Sequence, residues 1–584
     1  MMRYAPSLDR LLHYQRSWLR LDVIAGITVA AYLIPQVMAY AEVAGLPPVA
    51  GLWAILPPML VYAVLGSSRQ LSVGPESTTA LMTATSIGGL AAADTARYAE
   101  LAAGLAILVG LMALLAWVAR LGVLSELLSK PVLVGYMAGV AIIMIVGQLG
   151  KISGLTIDGD TFIAELRSFA SQLSDIDVPT FTLAMSVLAF MLVVGHFWPK
   201  APVPLLAVLL ATAAVAIFNL DAGGIATVGE IPAGLPAPKL AHLTLDDVQN
   251  LLLPAVGVLI VGYSDNVLTA RSFADRNDYP IDANQELLSL GSANIATGVF
   301  QGFPVSSSGS RTAIGDSMRT KSQMFSLVAF MSVIVVLVFF RSVLALFPMA
   351  ALGAIVIYAA LRLFDVPEMR RFLAFRRSEF LLAMATVFGV LVFGILYGVL
   401  IAVGLSMIDM LRRVARPHDA ILGYAPGLAG MHDVDDHPDA QQVPGLVVYR
   451  YDSPLFFANA DDFKRRALDS VDTAQTPTEW FLLNAEAVVE VDITSVDALD
   501  DLRQLLDRRG VEFRMARVKQ DLRDALEAGG FVQRVGDENI YPTLPTAVAV
   551  YVAEYTQRHG YPPEGISPPE PPASPIKPPP PRDR

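Results

Sequence analysis

Two polar segments interrupt apolar stretches of the chain and could bind an anion. One is Ser72–Thr79, with the sequence SVGPESTT, and the other is Gly302–Arg311, with the sequence GFPVSSSGSR. In both, Gly and Pro disfavour a regular helix, and the pattern predicts an extended stretch that leads into a half-helix. A helix N-terminus exposes free N–H groups and carries about half a positive charge. Two such termini that face each other would form an anion site without a metal ion.

Arg311 supports this interpretation, because a guanidinium within an apolar bundle is costly and usually meets an anion or a carboxylate. Two structural alternatives stay open. The serines Ser306, Ser307, Ser308 and Ser310 could only cap and pack a broken helix. Arg311 itself could only form a salt bridge with a neighbouring acid.

Three carboxylates, Glu42, Glu76 and Asp265, fall inside predicted membrane helices, where each needs a partner, a proton or a cation. Asp265 precedes Thr269 by four residues, so the two share a helical face. That pair suits a protonatable acid or an oxygen-ligated Na⁺ site, and no structural metal is expected. The alternatives are a salt bridge from Asp265 to Arg311, and a place for Glu42 at the outer mouth of the protein.

The composition of the chain indicates that the scaffold of these side chains lies mostly in a membrane. The chain has 584 residues, of which 54% are hydrophobic and 16% charged, and a mean hydropathy of +0.52. The net charge of −12 arises mainly in the C-terminal third, so a nucleic-acid partner is not expected. The chain has no cysteine, which excludes disulfides and thiolate chemistry. It also lacks a Walker motif, a nucleophile elbow and a zinc-protease signature, so it is expected to be neither an ATP-driven pump nor a hydrolase.

Fourteen apolar runs predict membrane helices, since a span needs about 20 mostly apolar residues. They lie near 23–42, 48–66, 74–92, 99–119, 131–149, 180–197, 202–219, 250–270, 284–301, 308–318, 323–341, 343–362, 379–394 and 396–411. They form two sets of seven helices. Because each set has an odd number of helices, the second set begins on the opposite side of the membrane and has the opposite orientation. The prediction is therefore a 7+7 inverted repeat.

The basic residues predict the orientation of these helices. The even-numbered connections carry most of them: Arg69, Arg120, Lys130, Lys200, Arg271, Arg276, Arg319, Lys321, Arg362, Arg370, Arg371, Arg376 and Arg377. The odd-numbered connections carry few: Arg97, Lys151, Arg167, Lys239 and Arg341. Both termini are thus expected in the cytoplasm, and the protein is expected to be a multi-pass protein of a bacterial plasma membrane.

The domain organisation follows from changes in composition. We predict a cytoplasmic segment at 1–21, a membrane transporter domain at 22–412, a linker at 413–443, an α/β domain at 444–556 and a disordered proline-rich tail at 557–584. In the α/β domain, alternation predicts strands at 446–451, 480–484 and 512–516, with helices at 461–472 and 496–509.

Several motifs give the chain a family resemblance. They are Ile34–Ala41 (IPQVMAYA), Gly45–Trp53 (GLPPVAGLW), Leu65–Arg69 (LGSSR), Ser72–Pro75 (SVGP), Asp282–Leu287 (DANQEL) and the stretch from Gly302 to Arg311. In these the chain resembles the SulP anion permeases, also called solute carrier family 26, over about residues 15–555. The family usually has aromatic residues where Ala50 and Trp53 stand, so the chain departs from it at Ala50. It also departs where Asp265 replaces the more usual Glu.

The resemblance implies a mobile core of helices one to four and eight to eleven, and a gate of helices five to seven and twelve to fourteen. The core is expected to move as an elevator. The anion site of the family corresponds here to Gln36, Tyr40, Val73, Ser308, Ser310 and Arg311. The C-terminal domain resembles a STAS domain, with roles in homodimer contact and in binding a regulatory protein.

The expected function is secondary transport of a small oxyanion, sulfate first and bicarbonate second, coupled to H⁺ or Na⁺ through Asp265, Thr269, Glu42 and Glu76. No cofactor is expected besides the coupling ion. A dicarboxylate transporter, an uncoupled anion channel or exchanger, and an anion-sensing receptor that signals through the STAS domain stay open as alternatives.

Overall fold

The computed structural model describes residues 5–91, 94–123, 129–157, 159, 162–198, 201–218, 220, 224–232 and 234–563. The chain divides into two compact units, Met1–Met407 and Ile408–Arg584.

The first unit is almost entirely helical. Its helices are α1 Pro6–Leu12, α2 Leu19–Val43, α3 Pro48–Leu65, α4 Ser77–Ile87, α5 Thr95–Val118, α6 Lys130–Gly147, α7 Leu149–Ser153, α8 Phe162–Ser171, α9 Val178–Phe197, α10 Val203–Phe218, α11 Leu245–Arg276, α12 Ala283–Val299, α13 Gly309–Ser317, α14 Met324–Phe339, α15 Arg341–Ala345, α16 Met349–Leu361, α17 Val366–Phe375 and α18 Arg377–Ala415. Within the described residues, eight helical segments are long and apolar enough to cross a membrane, and α10 and α14 are shorter apolar helices. Helical structure therefore occurs in every predicted run.

These helices pack as two groups. The core group comprises α2 to α5 and α11 to α14, in which α12 packs on α5 and α3 while α14 packs on α2 and α3. Its helices approach closely at Gly110, where an added Cβ would lie 2.6 Å from the carbonyl oxygen of Gly291. The gate group comprises α6, α7, α9, α10, α16 and α18, with α16 against α9, α6 and α7. Gly135 of α6 allows α18 to approach, because an added Cβ would lie 2.3 Å from the carbonyl oxygen of Ala383.

Two short strands precede the half-helices α4 and α13. Strand β1, Val73–Gly74, pairs antiparallel with β2, Ser306–Ser307. This confirms the extended stretches predicted at both polar segments. The third predicted helix, placed at 74–92, begins only at Ser77, because Gly74 and Pro75 hold the backbone extended.

The buried carboxylate of Glu286 connects several helices of the core group through hydrogen bonds. Glu286 accepts hydrogen bonds from the hydroxyls of Tyr62, at 3.0 Å, and Ser67, at 2.6 Å, and from the Nδ2 of Asn266 at 2.7 Å. The Ser67 N–H also donates to it at 3.0 Å. The Asp282–Leu287 motif thus contributes a tie between α12, α11 and the end of α3.

The last two predicted helices form one element, α18, which is broken inside at Gly394 with φ 81° and ψ 172°. Only glycine adopts this conformation readily. The break falls between the predicted stretches 379–394 and 396–411, so two helical stretches meet where the sequence predicts their boundary.

The second unit is an α/β domain. Its strands are β3 Asp419–Tyr424, β4 Met431–Asp433, β5 Leu446–Tyr451, β6 Trp480–Asn484, β7 Glu512–Ala516 and β8 Ile540–Tyr541, and its helices are α19 Ala460–Asp472, α20 Ile493–Asp507, α21 Gln520–Ala528, α22 Phe531–Val535 and α23 Leu544–His559. The sheet order is β4-β3-β5-β6-β7-β8. Strands β5 to β8 are parallel, and β3 is antiparallel to both neighbours.

Helices cover both faces of this sheet. Along β5, Val447 and Tyr449 pack on the side of α19 to α22, while Leu446 and Val448 pack on the side of α23. Asp492 caps α20. Burial raises the pKa of its carboxyl, but hydrogen bonds from the N–H groups of Ser495 and Phe457 and from the Ser495 hydroxyl outweigh this and lower it below the ordinary value.

Two predicted boundaries need correction. The stretch 413–443, predicted as a linker, contains β3 and β4, which add an antiparallel edge to the sheet. Its proline and glycine residues bound a hairpin rather than a flexible connection. The tail predicted from 557 begins inside α23, which extends to His559, and residues 564–584 lie outside the described part of the chain.

Candidate functional site

The pairing of β1 with β2 joins the N-termini of α4 and α13. The Ser308 N–H donates to the carbonyl oxygen of Ser72 at 2.9 Å. In return, the Ser72 N–H donates to the Thr312 Oγ1 at 3.0 Å. The two half-helices therefore begin beside each other, as the anion-site interpretation requires.

Arg311 lies fully buried at this junction. Its Nε donates to the Ser72 Oγ at 3.2 Å, and its Nη1 donates to the Gln36 Oε1 at 3.2 Å and to the Pro75 carbonyl oxygen at 3.0 Å. Its Nη2 is buried without a hydrogen-bond partner, and no carboxylate oxygen of the described residues lies within 4.0 Å of the guanidinium. Neutral acceptors thus hold the cation, so its charge is not cancelled by direct contact.

A cavity of about 220 Å³ lies next to this junction. It is lined by Tyr32, Gln36, Tyr40, Glu76, Ser77, Thr78, Met137, Asp265, Gly309, Ser310, Ala359, Arg362 and Leu363. Most of these residues belong to the core group, while Met137, Ala359 and Arg362 come from α6 and the end of α16. The cavity therefore lies between the two groups.

Three of the six residues predicted to bind substrate line the cavity directly: Gln36, Tyr40 and Ser310. Gln36 donates to the Tyr40 hydroxyl at 2.9 Å and accepts from Arg311, so it connects the guanidinium to the cavity wall. Val73 lies in β1 and Ser308 lies behind Ser310, with 3.2 Å between the two hydroxyl oxygens.

The two cavity carboxylates are held by different groups. Glu76 caps α4 and accepts a hydrogen bond from the N–H of Ser77. Asp265 accepts from the Ser307 Oγ at 3.0 Å rather than from Arg311. Thr269, predicted as its companion, does not belong to the cavity lining. The structure therefore brings Asp265 and Glu76, but not Thr269, to the site.

Glu42 lies elsewhere, at the C-terminal end of α2. Its carboxylate accepts a hydrogen bond from the Lys151 Nζ at 3.1 Å, and its side chain is only 3% exposed. Lys151 belongs to α7, which packs on α16 and α9. The ion pair thus joins the core group to the gate group.

Residues that the sequence patterns did not single out as site residues include Tyr32, Met137 and Arg362. Tyr32, Ser310 and Arg362 also line a second cavity of about 270 Å³, which reaches Ser317 at the end of α13. The only signal for Arg362 was its place in a basic connection. Tyr32 lies within an apolar run, where nothing distinguishes it from a core residue.

Comparisons with known proteins agree with this architecture. A model described as sulfate permease family matches residues 19–386, and a STAS domain model matches 437–547. A probable sulfate transporter of Mycobacterium tuberculosis is 57% identical over 548 residues, which cover 94% of this chain and 98% of that protein. The chloroplastic sulfate transporter 4.1 of Arabidopsis thaliana is 31% identical over 92% of this chain and 81% of its own length.

Two solved structures share the fold. The murine solute carrier 26 family member A9 anion transporter, in its inward-facing state, superposes with a TM-score of 0.85 at 21% identity and covers 94% of each chain. The transmembrane domain of a cyanobacterium bicarbonate transporter, BicA, superposes with a TM-score of 0.59 at 23% identity, covering 67% of this chain and 98% of that one.

Proposed function

The chain belongs to the sulfate permease family of membrane transporters, which are not enzymes, and on that premise we propose that it carries sulfate across a bacterial plasma membrane. The observation that carries the proposal is Arg311: a buried cation, held by neutral acceptors, with one unpartnered nitrogen beside a polar cavity. An oxyanion supplies the acceptor oxygens that this arrangement lacks.

Sulfate is the first candidate because relatives that match nearly the whole chain are named as sulfate transporters. Bicarbonate is the second, on the weaker ground of a fold shared with a bicarbonate transporter. A dicarboxylate is a third substrate. An uncoupled channel or exchanger and an anion-sensing receptor are the competing functions, and the cavity carboxylates Asp265 and Glu76 favour a coupled transporter over both.

The proposed mechanism is an elevator in which the core group moves against the gate group with the anion bound. The division of the helices into two packed groups, with the cavity between them, supports it. The second cavity leads from the site to Ser317 and Arg362, near the connections that the basic residues assign to the cytoplasm. We therefore assign the structure to a state open toward the cytoplasm.

The proposal includes a fourteen-helix inverted repeat with both termini in the cytoplasm, a homodimer, and a regulatory role for the STAS domain. Coupling is assigned to H⁺ or Na⁺, with Asp265 as the group that is neutralised and Glu76 as its neighbour at the cavity.

The test is uptake into proteoliposomes of labelled sulfate, bicarbonate and succinate, under imposed proton or sodium gradients. We expect sulfate accumulation above the equilibrium level with one of the two gradients. Uptake that never exceeds equilibrium under either gradient would assign the protein to the channel or exchanger class, and no uptake of any anion would favour the receptor.

A separate prediction concerns the pair of Glu42 with Lys151, which must separate when the core group moves outward. Glu42→Gln should therefore favour the outward-open state. Because the chain has no natural cysteine, Met137→Cys gives a single probe in the cavity. We expect an impermeant thiol reagent added outside to label it about fivefold faster or more, the effect of a coupling of roughly 1 kcal/mol.

The charge swap Glu42→Lys with Lys151→Glu should restore the slow labelling. Glu100→Gln is the matched control, since Glu100 pairs with Lys239 at 3.0 Å at a site away from the cavity. Equal labelling rates in Glu42→Gln and Glu100→Gln would contradict the proposed role of the pair.

A further inference from the structure

Arg362 follows α16 and lines both cavities of the first unit. Its Nη2 donates to the Tyr358 hydroxyl at 2.6 Å, and its guanidinium lies 4.6 Å from the centre of the Tyr358 ring. No carboxylate oxygen of the described residues lies within 4.0 Å of it in an ion pair. Arg362 is thus a cation that faces the water of the cavities without a neutralising partner.

The surrounding helices leave room for this arrangement. Gly195 of α9 lies against it, where an added Cβ would be 2.4 Å from the Tyr358 hydroxyl and 3.7 Å from the Arg362 Nη2. The tyrosine restricts the guanidinium through both a hydrogen bond and ring stacking. The hydrogen bond and the ring contact therefore hold this exposed side chain at the boundary between the cavities.

The charges around the main cavity explain why a second cation matters. Among the described residues, Arg362 is the only arginine or lysine in the cavity lining, which also contains the carboxylates Glu76 and Asp265. The buried Arg311 lies at the junction beside the cavity. A monovalent anion needs one uncancelled positive charge. Compared with a monovalent anion, a dianion gains twice the Coulomb attraction from each added cation and suffers twice the Coulomb repulsion from each ionised carboxylate.

We propose that Arg362 is the second cationic contact of the transported anion, supplied from the gate side, and that it makes the site selective for dianions over monovalent anions. The inference rests on the proposed function and deepens it. The anion would lie between Arg362 and Ser310, which is at the N-terminal end of α13. Ser310 and Arg362 both line the two cavities.

The test is Arg362→Gln in proteoliposomes, with half-saturation measured from the cytoplasmic face for sulfate and for bicarbonate. We expect the half-saturation concentration to rise about tenfold for sulfate and to change less than about twofold for bicarbonate. The lost cation attracts a dianion more strongly than a monovalent anion. Arg362→Lys should recover most of the sulfate affinity, since it restores the cation without the planar fork.

Arg376→Gln is the matched control, because Arg376 is also an exposed arginine stacked on an aromatic ring, Phe375, at 5.6 Å, but lines neither cavity. An unchanged sulfate value in Arg362→Gln would overturn the inference. So would an equal loss for both anions, or a loss that Arg362→Lys does not rescue, because either result indicates a structural role. Absence of sulfate uptake by the unmodified protein would instead overturn the proposed substrate, and this inference with it.

Discussion

Ser310→Trp should abolish anion uptake while the protein still folds in the membrane. Ser310 is the second residue of α13 and lines both cavities, so an indole at this position would occupy the space between the two half-helices. It would also fill the passage toward Ser317. Because Ser310 lines the cavities, the added ring displaces water rather than packed side chains, and the cost in stability should be small.

The measurement is sulfate uptake and direct anion binding by purified protein, with size-exclusion chromatography to verify folding. Uptake should fall to the level of empty liposomes. Ser332→Trp is the control, since Ser332 lies on α14 outside both cavities and its hydroxyl donates only to the carbonyl oxygen of Val328 in its own helix. If Ser310→Trp transports as well as Ser332→Trp, the anion binds elsewhere.

Asp265→Asn should convert concentrative uptake into equilibration along the anion gradient. The carboxylate lies within the bundle, accepts only the Ser307 hydrogen bond among the contacts of the described residues, and has no cation within ion-pair distance. A lone charge in this environment must be neutralised during transport. The amide keeps the shape and the acceptor oxygen for Ser307, but it cannot be protonated and lacks the negative charge that would balance a bound Na⁺.

The substitution should spare folding, because no buried cation loses a partner when Asp265 is neutralised. Accumulation ratios and anion exchange should be measured in the same vesicles. We expect the ratio to fall to about one while exchange persists. Asp275→Asn, at the exposed C-terminal end of the same helix, is the matched control.

Gradient-driven accumulation that survives in Asp265→Asn would remove this residue from the coupling mechanism. Thr269→Val distinguishes coupling to Na⁺ from coupling to protons. A loss of sodium-driven uptake in both variants would indicate Na⁺, although the position of Thr269 outside the cavity favours protons.

The sequence predicted local structure best where neighbouring residues decide it. Strands β5, β6 and β7 begin and end at the predicted residues, because each is a short run of mostly apolar residues that is buried on both faces of the sheet and bounded by turns. The breaks before α4 and α13 were visible for a similar reason, since Gly74, Pro75 and Pro304 act on their own backbone.

Pairings over long distances in the sequence were not predictable. A salt bridge between Arg311 and Asp265 was one open alternative because each is a charge in an apolar run, yet neutral groups hold Arg311 and Ser307 holds Asp265. Lys151 was counted only as a basic residue in an outer connection, although it neutralises Glu42. A pattern shows that a buried charge needs a partner but does not show which residue, or which backbone group, provides it.

The predicted linker failed for another reason. Polar and proline-rich composition predicts loops, but β3 and β4 are short strands at the edge of a sheet, where one side can remain polar. The pairing of β3 with β5, and of β4 with β3, supplies the stability that their own sequence lacks.

The contact between β1 and β2 has a consequence for biosynthesis. Ser72 and Arg311 are 239 residues apart, so at ribosomal rates roughly 10 to 50 seconds separate their synthesis. Closing a loop of that length costs about 5 kcal/mol of chain entropy, by its logarithmic dependence on length. During that interval β1, which precedes α4, has no partner strand in the nascent chain. A nascent chain that has been synthesised only as far as α12 contains Glu76 and Asp265 but not Arg311. It therefore carries the two carboxylates without the cation.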